Sequence, residues 1–380
     1  MSEKSVEYRN IITHGLYKHI LKPMFFLEDP EKVHDKMTDM GIFLSRYSFG
    51  KKMTEALFDY QNPILSQKIF NIHFENPVGL SAGFDKDAKL TGILPFVGFG
   101  FAEVGSITGK ACQGNPKPRL WRLKEAKSLA VYYGLKNEGC DKIAKRLEGQ
   151  KFEIPIGMSV AMTNCQENIN IKNAVLDYLH AFKTMYPYSQ YMTINISCPN
   201  TSGGQPFIIP HNLDYLLDVI DTTNPTKPVF LKLSPDMSFE DMQNIITIIK
   251  KHKVDGVICT NLTKRKEKIM ELGKNTPIKG GLSGKAVDAS SDKMISYMYK
   301  NLVLPMKKEG KDFVIIGSGG IFNAEDAYRK IRLGSSLLQM ITGMIFEGPQ
   351  VISEINQGLV KLLKRDGFKN IEEAVGVEHI

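Results

Sequence analysis

The segment Asn195-Ile196-Ser197-Cys198-Pro199-Asn200 sets a thiol between two carboxamides. Side-chain amides present donors and acceptors at fixed positions, which suits a planar ring with imide-like edges. The cysteine offers a base or a nucleophile, whereas a lone cysteine is otherwise a small buried hydrophobe. Its polar flanks and its place at the end of an apolar run favour the reactive role. Lys86 and Lys232 also belong to the ends of apolar runs. A buried lysine is costly unless it meets an anion, so two of them point to an anionic ligand more than to side chains that snorkel to a rim. Glycine-rich turns complete the set: Gly317-Ser318-Gly319-Gly320, Thr342-Gly343 and Gly280-Gly281-Leu282-Ser283-Gly284. Such turns offer backbone N–H groups to a phosphate. No GxxxxGK(S/T) stretch is present, which disfavours nucleoside triphosphate hydrolysis.

These residues need a common scaffold, and the chain has one pattern that supplies it. From residue 76 onward, short β-branched runs ending in Gly, Ser, Thr or Asn alternate with longer helix-like stretches. The runs are 77–82, 101–105, 155–160, 191–196, 229–233, 256–260, 313–317 and 336–341. Eight near-continuous apolar strands separated by helices predict an α/β fold, a closed (β/α)8 TIM barrel. An open doubly wound sheet is the alternative, but no strand is followed by GxGxxG. In such a barrel, catalytic groups come from the C-terminal strand ends. Read in order, these ends carry Gly83 and Lys86, then Ser106 and Thr108, Ser159, Asn195 to Asn200, Lys232, Thr260 and Asn261, Gly319 and Gly320, and Thr342 and Gly343.

Residues 1–66 lie outside this repeat and predict an N-terminal helical extension, with the barrel spanning 67–380. Val33, Met37, Met40, Leu44 and Tyr47 fall at spacings of four, three, four and three, an apolar stripe on one helix face. Asp29-Pro30-Glu31 precedes it as an N-cap with Pro in the first turn. Ile11, Ile12, Leu16 and Ile20, followed by residues 24–27, are also apolar on one side. The segment either caps the barrel or meets a membrane or an apolar substrate. Its nine bases and nine acids cancel, which favours the cap. The formal charge of +8 therefore belongs to the barrel. No nucleic-acid motif accompanies that charge, so it reads as a solvated surface. Five cysteines with no CxxC pair argue against a disulfide framework or a metal knuckle and for a reducing compartment. The opening MSEKSVEYRN has acids and no apolar core, unlike a secretory signal.

Together these residues resemble the dihydroorotate dehydrogenases, and the resemblance covers nearly the whole chain. Residues 76–86, Asn-Pro-Val-Gly-Leu-Ser-Ala-Gly-Phe-Asp-Lys, resemble the family's first-strand signature. Residues 114–122 are similar to the GNPRPR-type stretch of the membrane-associated class 2 enzymes. Residues 195–201 resemble the NxSxPNT active-site segment. Residues 255–261, 280–284 and 315–321 and Gly343 follow in the family's order. The surroundings of Asp29-Pro30-Glu31 resemble class 2, in which two helices form a lipid-facing quinone tunnel. That turns the reading of residues 1–66 from cap to tunnel, with peripheral contact on the cytoplasmic face of an inner membrane.

The resemblance implies FMN, its phosphate near Gly284, Gly319, Gly320, Thr342 and Gly343. Ala82, Gly83, Lys86, Ser106, Ser159, Asn195, Lys232, Thr260 and Ser283 would complete its surroundings. It implies substrate contacts at Lys86, Asn137, Asn195, Asn200 and Asn261, and a proton acceptor at Cys198. Dihydroorotate would give hydride from C6 to flavin N5 and a proton from C5 to the thiol, and a quinone would then take the electrons. Four residues depart from the class 2 pattern. Cys198 stands where class 2 has serine, as in the soluble class 1 enzymes. Val131 replaces an asparagine of the N-x-M-G-(F/L)-x-N segment, Ser159 an asparagine beside the flavin, and Ile341 a tyrosine. Val131, Ser159 and Ile341 leave open a flavin oxidoreductase paralogue acting on a different ring. A non-catalytic barrel is disfavoured by Lys86, Asn195, Asn200, Lys232 and Asn261.

Overall fold

The computed structural model describes residues 3–201, 204–265 and 279–379. Eight parallel strands close into a barrel in chain order: β1 (Val78–Leu80), β2 (Phe101–Ile107), β3 (Ile156–Val160), β4 (Tyr191–Asn195), β5 (Val229–Leu233), β6 (Gly256–Cys259), β7 (Val314–Ser318) and β8 (Leu337–Met340). All eight expected runs are strands, each within a few residues of its expected bounds. Every residue of β3, β4, β5 and β7 is buried, because helices cover the outside while side chains fill the inside. Closure comes from β8, where Gln339 pairs with Gly79 of β1 and Leu338 with Gly317 of β7.

The hairpin Gln67–Ile69 and Ile72–Phe74 belongs to a cluster with residues from the N-terminal strand ends. Phe74 meets Phe101 edge-to-face at 5.5 Å, and Tyr191 meets Phe230 at 5.3 Å. These rings fill the lower end of the barrel, which leaves its C-terminal mouth for a ligand site.

Beside that mouth lies a three-stranded antiparallel sheet of residues Leu120–Leu123, Ser128–Val131 and Gly281–Gly284. The last of these was expected to be a phosphate-binding turn. Instead Gly281 pairs with Val131 and Gly284 with Ser128, and only the flanking Gly280 and Gly284 have positive φ.

The N-terminal segment forms α1 (Glu3–Leu16), α2 (Lys22–Leu27), α3 (Pro30–Ser45) and α4 (Ser48–Phe58). Asp29 caps α3, its Oδ1 accepting from the N–H groups of Glu31 and Lys32 at 3.0 Å each. Arg9 donates to Ser353 Oγ at 2.6 Å and Asp59 O at 2.8 Å, and Tyr17 donates to Ile345 O at 2.7 Å. The Ser353 and Ile345 bonds fasten the helices to the barrel, the Asp59 bond ties α1 to the end of α4, and apolar side chains are left outside. Ile11, Ile12, Leu16, Ile20, Met24, Leu27, Met40, Phe43, Tyr47 and Phe49 are exposed. The predicted stripe is therefore split. Val33 is buried and Leu44 packs on the core, whereas Met40 points outward and Tyr47 sits in the turn after α3 has ended at Ser45.

Candidate active site

A cavity of about 1280 Å3, counting its open mouth, lies at the C-terminal end of the barrel. Ala82, Gly83, Lys86, Ser106, Asn195, Cys198, Asn200, Lys232, Thr260, Asn261, Ser283, Gly284, Gly319, Gly320, Thr342 and Gly343 all line it. Two of the expected site residues do not. Ser159 is fully buried behind Ser106, the two hydroxyls 2.8 Å apart. Asn137 faces a neighbouring, more polar cleft, and its amide is already engaged. Its Nδ2 donates to Thr108 Oγ1 at 2.7 Å and Leu135 O at 2.8 Å, and its Oδ1 accepts from Gly139 N–H at 2.8 Å. It fixes a loop and has little left for a ligand. Val131 and Ile341 do line the cavity, so two of the departures from the family pattern alter its wall.

The floor is set by Lys232 of β5, only 4% exposed. Its Nζ donates to Ser81 Oγ at 3.1 Å and lies 3.6 Å from Glu103 Oε1. Glu103 is fully buried in β2, and its Oε2 accepts from Thr193 Oγ1 at 2.8 Å and Gln339 Nε2 at 3.0 Å. Burial lowers the pKa of Lys232 and the Glu103 carboxylate opposes that shift. A buried carboxylate therefore holds an ammonium group at the centre of the floor. Glu103 and Gln339 were missed from the sequence. The available signal was polar residues inside the apolar runs of β2 and β8.

The amides form a second layer. Asn195 Nδ2 donates to Ser106 Oγ at 2.8 Å, and its Oδ1 accepts from Ser197 Oγ at 3.0 Å and Asn261 Nδ2 at 3.2 Å. Asn200 Nδ2 donates to Val131 O at 2.9 Å. Asn200 Oδ1 is buried with no partner among the described residues. An orphaned acceptor on a cavity wall is costly unless a ligand donor meets it.

Cys198 is partly exposed within the same wall. Burial pushes its thiol up to about 11, against the Asn200 N–H and Lys264, which favour the thiolate. The thiol is thus a weaker acid than the reference cysteine and, once ionised, a stronger base. Lys86 lies 4.2 Å over the ring of Tyr133. Burial, helped by Lys136, lowers Lys86 to about 8.

At the far end of the cavity, Gly319 and Gly320 have φ of +115° and +77°, conformations that favour glycine. Lys285 donates to Gly320 O at 3.2 Å and Asp326 Oδ2 at 2.8 Å, which ties this turn to the following helix, Ala324–Arg332. Ser283 and Thr342 pair their hydroxyls at 2.8 Å. Thr342 and Gly343 open the helix Thr342–Glu347, and N–H groups in a first turn have no intrahelical acceptor.

The family model for dihydroorotate dehydrogenase matches residues 64–363. The chain belongs to the dihydroorotate dehydrogenase family. A dihydroorotate dehydrogenase (quinone) from Christiangramia forsetii is 36% identical over 350 residues, covering 91% of this chain and 99% of that one. A second, from Trichodesmium erythraeum, is 34% identical over 383 residues, covering 96% and 99%. Among solved structures, DHODH from Eimeria tenella in complex with ferulenol superposes with a TM-score of 0.81 at 29% identity, covering 92% of this chain and 96% of that one.

FMN, the cofactor of this family, fits the lining. A Cβ on Gly83 would project into the cavity, with only Ile341 Cδ1 within reach at 3.8 Å. Gly83 thus lets a flat ring approach the backbone. Lys232 would supply a cation to the bound flavin, and the Gly319-Gly320 and Thr342-Gly343 turns would offer N–H groups to its phosphate.

Proposed function

We propose that this chain oxidises dihydroorotate to orotate in pyrimidine biosynthesis and passes the electrons to a quinone. The observation that carries this reading is a single cavity joining Cys198, Lys86 and an unpartnered Asn200 acceptor to a glycine-lined phosphate cradle. Bound FMN supplies the hydride acceptor and the electron link to the quinone. The protein's own part is positioning and proton transfer. Lys86 holds the substrate carboxylate by its charge. Asn200 Oδ1 accepts from a ring N–H, which satisfies the orphaned acceptor. Asn195 and Asn261, locked together through Ser197, keep the facing wall rigid. Cys198 Sγ takes the proton from C5. The buried cation of Lys232 favours negative charge above the floor as electrons arrive.

The N-terminal helices supply the second half-reaction in this reading. His34 of α3 joins Leu120, Leu129, Ile341 and Ile345 on the cavity wall, an apolar route suited to a quinone tail. The exposed apolar faces of the segment, beginning at α1, would rest on the cytoplasmic side of the membrane that holds the quinone. No helix among the described residues is long and apolar enough to cross a membrane. Residues 1–66 would thus be the membrane and tunnel segment, and 67–380 the FMN-binding barrel.

The test is steady-state turnover of the FMN-loaded protein with dihydroorotate and a short-chain ubiquinone. Orotate formed in step with quinone reduction supports the reading. Failure with dihydroorotate, together with turnover of another dihydropyrimidine, would assign the pocket walled by Val131 and Ile341 to a different ring.

A further inference from the structure

We propose that Glu31, in the first turn of α3, is a positioning residue for the substrate lysine Lys86, acting through Arg119 and Tyr133. The inference rests on the reading of Lys86 as the group that holds the substrate carboxylate. Glu31 and Arg119 are 4% and 5% exposed, unusual for charged residues in the absence of a partner. They form a two-pronged pair: Arg119 Nη2 to Glu31 Oε1 at 2.8 Å and Nε to Oε2 at 3.1 Å. Arg119 Nη1 is also fixed, donating to Gln113 O and Asn115 O at 2.9 Å each. The guanidinium therefore has one orientation, and it lies 5.2 Å from the centroid of the Tyr133 ring. Lys86 Nζ meets the same ring at 4.2 Å.

Tyr133 OH has no partner among the described residues. The ring is therefore held by what packs on it, and two cations do so. A third cation, Lys136, lies 3.4 Å from Glu31 Oε1 and disfavours charge on Lys86. Asp87 and Asp35 also favour charge on Lys86, but Glu31 is the carboxylate that pairs with both Arg119 and Lys136. Burial alone would raise its pKa, but the Arg119 hydrogen bonds and nearby lysines hold it down to about 2. α3 touches the same loop again through His34, whose Nε2 lies 2.8 Å from Phe84 O, two residues before Lys86. The N-terminal segment is thus part of the substrate site as well as of the acceptor route.

The orientation of Lys86 over the ring is worth about a 3- to 30-fold change in affinity for an anionic ligand, the range of a partly buried cation–ring contact. The test is orotate binding to the oxidised, FMN-loaded protein, read from the flavin spectrum at about pH 6.5, where Lys86 is charged. Glu31→Gln and Tyr133→Leu are each expected to weaken binding about 3- to 30-fold. The double variant should be no weaker than the worse single one, since both break the same chain. Tyr133→Phe, which keeps the ring, should recover most of the loss seen with Leu. Removing a negative charge acts by simple electrostatics in the opposite sense, tightening an anion. Unchanged or tighter orotate binding by Glu31→Gln would therefore overturn the proposal. So would equal losses in Tyr133→Phe and Tyr133→Leu, a comparison that stands even if Glu31→Gln fails to fold. If the unaltered protein binds no orotate, the functional reading falls as well, so the two failures are distinguishable.

Discussion

The raised thiol of Cys198 and the lowered amine of Lys86 together fix an unusual pH profile. As the proposed base, Cys198 must be ionised, and burial pushes its thiol up to about 11. As the proposed holder of the substrate carboxylate, Lys86 must be protonated, and burial brings it down to about 8. At pH 7 only about one thiol in 10^4 is then ionised in the free protein. Below about pH 8 Lys86 stays charged while the thiolate fraction gains roughly tenfold per unit, so the second-order rate of flavin reduction should rise with slope near +1. Between about 8 and about 11 the gain in thiolate cancels the loss of ammonium, and the profile should be level. A thiol at its reference value of about 8.5 would instead give a narrow maximum and a fall beginning near pH 9. The assay is anaerobic stopped-flow mixing with limiting dihydroorotate from about pH 6 to about pH 10. A decline setting in near pH 9 would refute the account of Cys198. Cys198→Ala should slow reduction by about 10^2- to 10^4-fold while FMN stays bound.

Lys232, Gly320 and the exposed apolar face of the N-terminal helices give three further outcomes. Lys232→Met removes the ammonium group beside the fully buried Glu103, so chemical denaturation should show a loss of about 3–5 kcal/mol. Adding Glu103→Gln should restore much of it, and a double variant no more stable than Lys232→Met would contradict the pairing. Gly320→Ala places a Cβ against the Asp288 carboxylate at a φ of +77°, so the FMN-to-protein absorbance ratio should fall. Full retention of FMN would remove that turn from the cradle. Leu27→Glu and Phe49→Glu alter exposed apolar positions and should each lower vesicle co-sedimentation about tenfold. Added salt should leave the unaltered protein's binding unchanged, because residues 1–66 carry balanced charge.

The barrel was legible because its signal is local. Each strand is a largely apolar run, and candidate site residues sit at or next to its C-terminal end, as with Lys232 in β5 or Asn195 in β4. What the sequence hid was non-local. The strand Gly281–Gly284 pairs with Ser128–Val131, about 150 residues earlier in the chain, and a glycine-rich tetrapeptide reads as a turn when its partner is unseen. Asn137 carries the residue type of a ligand contact, yet its amide is consumed by Thr108, Leu135 and Gly139. Spacing cannot show which hydrogen bonds a side chain has already made. Glu31 looked like an ordinary acid in a helix's first turn. Its partner Arg119 is 88 residues away, and only their joint burial shows what they hold. The apolar positions near the N-terminus were visible, but which way they face was not, since the bonds of Arg9 and Tyr17 to the barrel decide it.

The central claim is that this cavity oxidises dihydroorotate, with Cys198 taking the proton. Its most direct test is the yellow absorbance of the FMN-loaded protein mixed with dihydroorotate in the absence of oxygen and quinone. The account predicts bleaching within a single turnover, severely slowed in Cys198→Ala, with colour returning when quinone is added. A flavin that stays yellow in excess dihydroorotate would contradict it.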